Sequence, residues 1–446
     1  MQALAVLPLV LCAIMLTMLP AERVFLYLFF PFLLAVPTGY YFPLPGLPDL
    51  NFFHFAALPI ICWWIFRGVK EHQLSFMDLL VFSYAMITIV SEFYTMGVKD
   101  GINIVIDRVM QIFIPYILLK HFFRYNYLRV PILKVIVVIG AGLALLSLPE
   151  FKFDIAVTDP LNWLWPENIR LPGLPRYGFV RVAATFTHPI LAGLMWAFFT
   201  LFAVWLHKQR VWQNTRFGLA MIVLNVGGLI LSISRGPMLG LVAGLVVLYI
   251  GWNSNRVKAL TLVLTATILV APPVVIKFVE YVSIDRFNAV TSEQENAAYR
   301  KELLDNYIDV IKESPWIGYG IQGVPVVGGQ RSVDNQYLFI ALRHGVFSLG
   351  LFIAITLYVI GRLAVYGWKT PPDHSGGMLA WALIGCAGTW FLTLATVWMG
   401  AQSEQMVFLV AAMADTFGRE VGTVPESVAL TPVNSSISEW SFQRAL

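Results

Sequence analysis

Residues 184–206, ATFTHPILAGLMWAFFTLFAVWL, contain no aspartate, glutamate, lysine or arginine. A helix of about 20 such apolar residues crosses the hydrocarbon core of a bilayer, where every backbone amide and carbonyl must be paired within the protein. Similar runs recur along the whole chain, in which 58% of the 446 residues are apolar and only 13% are charged. The sequence therefore predicts an integral membrane protein and excludes a soluble enzyme.

The number and length of these runs predict the fold class. They favour an all-α, polytopic bundle of about 12–13 transmembrane helices, because a transmembrane β-barrel would show short segments of alternating polarity. Prolines inside several runs predict kinks. The predicted spans are 3–19, 24–36, 52–66, 78–96, 103–119, 131–148, 184–206, 217–233, 237–252, 258–279, 336–361, 378–399 and 404–417.

Basic residues in the short loops predict the orientation, since cytoplasmic loops carry an excess of lysine and arginine. They occur in alternate loops, near Arg67, Lys120, Arg210, Arg256 and Arg362. When these loops are assigned to the cytoplasm, the two longest loops lie outside it. The predicted domains are transmembrane helices (1–148), an extracytoplasmic loop (149–183), transmembrane helices (184–279), a large extracytoplasmic loop with amphipathic helices (280–335), C-terminal transmembrane helices (336–417) and a disordered polar tail (418–446).

Charge and cysteine content argue against other classes of protein. The formal net charge is only +4 and is scattered, whereas a nucleic-acid surface clusters lysine and arginine on one face. Cys12, Cys62 and Cys386 lie inside apolar runs and are too few for a disulfide framework. We therefore expect no nucleic-acid partner.

The segment 299–311 in the second long loop has helical periodicity. Leu304, Tyr307 and Ile308 fall on one face of this predicted helix, together with Arg300. Two interpretations remain open. Either the helix lies at the membrane interface with Arg300 extended towards headgroups, or it caps the membrane domain and points Arg300 at an anionic group such as phosphate.

Arg235 lies in the very short connection between two apolar runs, next to Ser234 and Gly236. A charged residue at such a turn lies either at the headgroup level or in a polar cavity at the mouth of the bundle. The small neighbours favour the cavity, because they allow a ligand or another chain to approach.

A glycine-rich stretch, 315–329, predicts a flexible turn region and leads to Asp334 and Asn335 at the outer end of the next span. Two interpretations of Asp334 remain open, and they do not exclude each other. It caps the helix that begins near Gln336, or it accepts a proton from an attacking hydroxyl.

The first long loop combines proline, tryptophan and arginine, a composition that also suits an anchor at the membrane interface. Arg176, Arg181 and His188 near its end are candidates for guiding an anionic glycan or a lipid phosphate. His188, which precedes Pro189, is alternatively a structural histidine.

The motifs around Arg235, Arg300 and Asp334, in this order along the chain, resemble those of the superfamily of O-antigen ligases and polysaccharide polymerases of bacterial inner membranes. Members of this superfamily are multi-spanning, GT-C-like glycosyltransferases. The resemblance covers most of the chain in topology. In sequence it rests on Ser234-Arg235-Gly236, on Arg300 followed by Pro315-x-x-Gly318-x-Gly320, and on Asp334-Asn335 followed by Gly345 and Gly350.

The resemblance implies transfer of a glycan from undecaprenyl pyrophosphate to an acceptor sugar, at a site that faces the periplasm from the inner membrane. No cofactor, nucleotide sugar or metal would be needed, and a chain-length regulator is a candidate partner beside the donor, the acceptor and the lipid bilayer. Arg235 and Arg300 would hold the pyrophosphate as it leaves, and Asp334 would act as base. The candidates for substrate binding are Arg176, Arg181, His188, Arg331 and Asn335.

Ligases of this superfamily usually carry histidine where this chain has Asp334, and aspartate there resembles the polymerases. A polymerase is therefore predicted, with a ligase as the alternative. A polysaccharide transporter or flippase is the alternative from another class. Transporters place their sites near the midplane, often between repeats, whereas the candidate residues here are predicted at one outer mouth and no repeat is visible.

Overall fold

The computed structural model describes residues 2–43, 49–165, 175–283, 288–330, 332–400 and 402–420. Within these residues the one sheet is an antiparallel pair, β1 (Tyr41–Phe42) and β2 (Leu50–Asn51). The α-helices are α1 Leu7–Met18, α2 Ala21–Val24, α3 Phe30–Leu34, α4 Phe52–Trp63, α5 Phe76–Met96, α6 Val98–Arg108, α7 Ile114–Phe123, α8 Asn126–Leu146, α9 Leu148–Phe153, α10 Pro189–Lys208, α11 Thr215–Leu231, α12 Arg235–Trp252, α13 Arg256–Val282, α14 Ser292–Glu313, α15 Gly320–Gly323, α16 Gln336–Lys369, α17 Ser375–Leu394 and α18 Gln402–Asp415. Short 3-10 or π turns occur at Gln2–Val6, Phe25–Phe29, Trp64–Gly68, Val69–Glu71, Val109–Phe113 and Asp159–Leu161.

Nine helical segments of the described chain are long and apolar enough to cross a membrane, and Gln2–Met18 and Thr215–Leu231 are shorter apolar helices. The predicted spans 24–36 and 404–417 coincide with short helices, α2 and α3 for the first and the 14-residue α18 for the second. The all-α, polytopic class is therefore confirmed. The helices that qualify by length and apolarity are fewer than the predicted 12–13 spans, although each predicted run coincides with a helix. Of the tail predicted to be disordered, residues 421–446 lie outside the described part of the chain.

The chain folds into two compact units. The first comprises Met1–Leu74, Met110–Leu241 and Gly400–Leu446, and the second comprises Ser75–Val109 and Val242–Met399. Helix α12 begins in the first unit and continues into the second. Each unit has its own packed helices and its own share of the predicted site residues.

The first unit is built around α10, most of whose side chains are buried against α8 and α11. Trp196 on α10 is fully buried, and its indole Nε1 donates to the carbonyl oxygen of Gly140 on α8 at 3.0 Å. Gly228 on α11 faces the Trp196 ring so closely that a Cβ atom there would collide with it. Small residues therefore allow these helices to approach, as they do in membrane bundles generally.

In the second unit α16 packs against α5 and α17, and α14 lies along the beginning of α16. Helix α16 is interrupted at Gly345, whose backbone is left-handed (φ 80°), a conformation that glycine adopts without steric cost. The interruption separates a short segment at the start of α16 from the long apolar part. The residues predicted to carry the chemistry of this unit lie on α14 and immediately before that short segment.

Candidate functional site

The arginines of the first unit meet at the tight turn between α11 and α12. Arg181 is buried, and its guanidinium donates to the carbonyl oxygen of Ser232 (3.3 Å) and to the Ser234 hydroxyl (2.9 Å). Arg176 donates to the carbonyl oxygen of Ile233 at 3.1 Å. Ile233 is left-handed (φ 44°), which is unfavourable for a β-branched residue. The turn is therefore held in an unusual conformation by charged hydrogen bonds.

Arg235 is the first residue of α12 and is exposed, in contrast to Arg181. Its Nη2 atom donates to the hydroxyl of Tyr177 at 2.5 Å, and its guanidinium carbon lies 6.0 Å from the centre of that ring. The unpaired amides at a helix N-terminus add positive potential. An exposed guanidinium at this helix end is suited to binding an anion such as a phosphate group.

Glu150, which no motif of the sequence indicated, fixes the chain next to Arg181. Its carboxylate is fully buried and accepts hydrogen bonds from the amides of Ala183 and Ala184, each at 2.9 Å. A buried carboxylate requires such compensation. No local pattern reveals this role, because the two amides lie 33 and 34 positions along the chain.

His188 caps α10, with its Nδ1 atom accepting a hydrogen bond from the amide of Ile190 at 3.1 Å. This contact agrees with the structural interpretation, and its predicted contribution to substrate binding stays a prediction. Arg331, another predicted binding residue, lies outside the described residues.

In the second unit the predicted amphipathic helix is α14, which is longer than the predicted 299–311. The predicted apolar face is wrong in part, because Leu304 and Ile308 are 40% and 46% exposed whereas Leu303 is fully buried. The face is rotated because the start of α16 supplies the surface against which α14 packs. The resulting cluster contains Leu303, Tyr307, Val310, Val333, Leu338 and Leu342.

Arg300 on α14 is half-buried and contacts the segment that follows α17. Its Nη2 atom donates to the carbonyl oxygen of Thr396 at 3.3 Å. On the same segment the amide of Met399 donates to the side-chain oxygen of Gln336, the first residue of α16, at 2.5 Å. Arg300 and the N-terminus of α16 are therefore both hydrogen-bonded to the segment that follows α17, at one end of the second unit.

The N-cap of α16 is Asn335, so the interpretation of Asp334 as the cap is wrong. Asn335 Oδ1 accepts from the amides of Tyr337 (3.0 Å) and Leu338 (3.2 Å). The helix begins one residue too late for the aspartate to reach these amides. Asp334 is half-buried, and its Oδ1 accepts from the hydroxyl of Ser332 at 2.6 Å. This geometry is compatible with a carboxylate that accepts a proton from a substrate.

The structure therefore groups the predicted residues in two sets. Arg176, Arg181 and Arg235 surround one turn of the first unit, where the exposed Arg235 can bind an anion. The second set, which combines a cation with a carboxylate at one end of the second unit, contains Arg300, Asp334 and Asn335.

Comparison with known proteins shows similarity to one family. The sequence profile of the family described as O-antigen ligase matches residues 220–353, which include Arg235, Arg300 and Asp334. An O-antigen ligase of Pseudomonas aeruginosa is 28% identical over 226 residues, which cover 48% of this chain and 48% of the relative. The chain thus matches about half the length of that relative. The predicted resemblance to the O-antigen ligase superfamily is confirmed.

Proposed function

We propose that this O-antigen ligase-like membrane protein is a polymerase that joins undecaprenyl-pyrophosphate-linked oligosaccharide repeats on the extracytoplasmic face of the bacterial inner membrane. One observation carries the proposal. Within the matched residues 220–353, an exposed arginine, Arg235, stands at a helix N-terminus on a turn fixed by two further arginines. Guanidinium groups and helix N-termini are the donors that bind phosphate oxygens most effectively.

The proposed reaction is a direct displacement. The hydroxyl of the acceptor sugar attacks the anomeric carbon of the donor glycan, and the bond from that carbon to the pyrophosphate oxygen breaks with its electron pair leaving on the pyrophosphate. Asp334 takes the hydroxyl proton. Arg235 and Arg300 each bind pyrophosphate oxygens and stabilise the charge that develops on them. The reaction requires no nucleotide sugar and no metal ion.

The roles of the remaining candidate site residues are assigned from the contacts that their side chains make in the structure. Arg181 is buried against the turn and Asn335 caps α16, so both act by positioning Arg235 or Asp334. Arg176, His188 and Arg331 are proposed to contact the anionic glycan or the lipid phosphate. A chain-length regulator is proposed as a protein partner.

A ligase that transfers the glycan to lipid A core, or to another acceptor, is the second candidate, because the Pseudomonas relative is an O-antigen ligase. Asp334 favours the polymerase, since an aspartate rather than a histidine stands at that position. We expect purified protein in proteoliposomes to convert a lipid-linked repeat into a ladder of longer glycans when no other acceptor is present. A single transfer that occurs only after lipid A core is added, without a ladder, would instead establish the ligase.

A further inference from the structure

The loop 315–323, predicted to be a flexible turn, is attached to the interruption of α16. In an unbroken helix the amide of Val346 would donate to the carbonyl oxygen of Leu342. Here the Val346 amide donates to the carbonyl oxygen of Pro315 (2.7 Å), and the Leu342 carbonyl accepts from the amide of Tyr319 (2.8 Å). The loop thus satisfies both backbone groups that the interruption releases, as buried polar groups require.

Glycines make this close approach possible. Gly318 is left-handed (φ 74°), and a Cβ atom on it would lie 2.5 Å from the backbone of Arg343. A side chain at Gly345 would likewise collide with the carbonyl of Trp316. Gly318 of the Pro315-x-x-Gly318-x-Gly320 motif and Gly345 of α16 therefore permit docking of backbone on backbone.

Side chains from the end of α5 hold the docked loop in place. The Ser91 hydroxyl lies within hydrogen-bond distance of the carbonyl oxygens of Ile317 (2.6 Å) and Arg343 (3.0 Å). One carboxylate oxygen of Glu92 accepts from the amide of Ile321 at 3.0 Å. The other lies 2.8 Å from Nε2 of His344, which directly precedes the interruption of α16. The buried residues Ser91 and Glu92 thus each join the loop to α16.

The docked loop connects the two elements that carry the candidate residues of this unit. It follows α14, which carries Arg300, and it binds α16, which begins next to Asp334. The apolar cluster between α14 and α16 provides contact area but little directional constraint. The hydrogen bonds around Glu92 are directional, so they can fix the register of one helix against the other.

We infer that Glu92 and His344 form a positioning clamp that sets the placement of Arg300 relative to Asp334, and this inference rests on the proposed function. Glu92 is fully buried and His344 nearly so. Burying a carboxylate is a poor way to gain stability, because the cost of desolvation offsets the gain from its hydrogen bonds. A directional role accounts for the presence of a carboxylate at this buried position. Glu92 lies outside the matched residues 220–353.

The kinetic test uses the full-length protein in proteoliposomes with a lipid-linked oligosaccharide donor. Glu92→Ala is expected to lower kcat on the order of a hundredfold and to leave KM for the donor little changed, since a misplacement of about 1 Å has an effect of that size. Glu92→Gln keeps an acceptor for Ile321 and should retain part of the activity. The matched control is Thr88→Val, because Thr88 is buried one turn earlier in α5 and donates to Ala85 of the same helix. This control should keep the parental kcat.

A distance measurement tests the clamp independently of activity. Spin labels at Asp305 on α14 and at Ser332, both exposed, would be introduced after the three cysteines are replaced by serine. The parent should give one narrow distance distribution, and Glu92→Ala should broaden or shift it. An unchanged distribution in folded Glu92→Ala, or in folded His344→Ala if Glu92→Ala prevents folding, would overturn the clamp whatever happens to kcat. If the parent transfers no glycan, the proposed function fails, and the measured distances alone decide whether Glu92 and His344 set the placement of α14 relative to the start of α16.

Discussion

Alanine at Arg235 or at Arg300 is expected to abolish glycan transfer and to leave the protein inserted and folded. Each guanidinium is proposed to stabilise the charge that develops on the departing pyrophosphate, and removing one such donor typically costs about 10²–10³ in kcat. The fold should persist because Arg235 is exposed and Arg300 lies outside the apolar cluster of α14. Transfer rates in proteoliposomes, normalised to folded protein measured by size-exclusion chromatography, test both expectations.

Lysine at either position should restore little activity. It keeps the positive charge but lacks the planar fork of donors that matches phosphate oxygens. Lys152→Ala and Lys301→Ala are the controls, because each removes an exposed cation, one from each unit, and both should behave like the parent. Lysine variants as active as the parent would leave only a general electrostatic role. Active alanine variants would remove these arginines from the donor site.

Asp334→Asn is expected to fold normally, to bind the donor and to lose on the order of a hundredfold or more of its transfer rate. The asparagine amide has nearly the same shape and can still accept from the Ser332 hydroxyl, but it cannot take a proton. Because Asn335 provides the cap of α16, the change leaves the helix N-terminus intact. The measurement is kcat and KM with a lipid-linked repeat as substrate.

Two matched controls make the same chemical change on the exposed face of α14. Asp305 and Asp309 pair with Lys301 and Lys312 at 2.8 and 2.7 Å, and exposed pairs of this kind contribute about 0–1 kcal/mol. Asparagine at either position should therefore leave the transfer rate unchanged. Asp334→His installs another base and should retain partial activity. A full glycan ladder from Asp334→Asn would show that the base is another residue.

The transmembrane helices could be predicted because an apolar run of about 20 residues is a local property of the sequence. The buried face of α14 could not be predicted from the sequence. Leu303, Tyr307 and Val310 fit helical spacing as well as the predicted Leu304, Tyr307 and Ile308 do, and only the surface of α16 selects between the two sets. A residue pattern within one helix does not contain that information.

The candidate site shows the same division between local and distant information. Arg235, Arg300 and Asp334 stand in short motifs, so the sequence alone indicates them. Asp and Asn rank alike as N-caps, and only the backbone at the start of α16 assigns that role to Asn335.

Contacts between distant parts of the chain were not predictable from local patterns. Glu92 and His344 are 252 positions apart, so neither residue reveals the other. The glycines at 315–320 were interpreted as a source of flexibility, whereas the structure uses them for docking. In the sequence the two uses of glycine look the same.

The most direct test of the proposed function uses purified protein in proteoliposomes with an undecaprenyl-pyrophosphate-linked repeat as the sole glycan, in the presence of a metal chelator and without nucleotide sugars. The proposed function predicts longer glycans, with one molecule of undecaprenyl pyrophosphate released for each glycosidic bond formed. Failure to consume this donor, together with glycan growth from a nucleotide sugar or only after a metal ion is added, would contradict it.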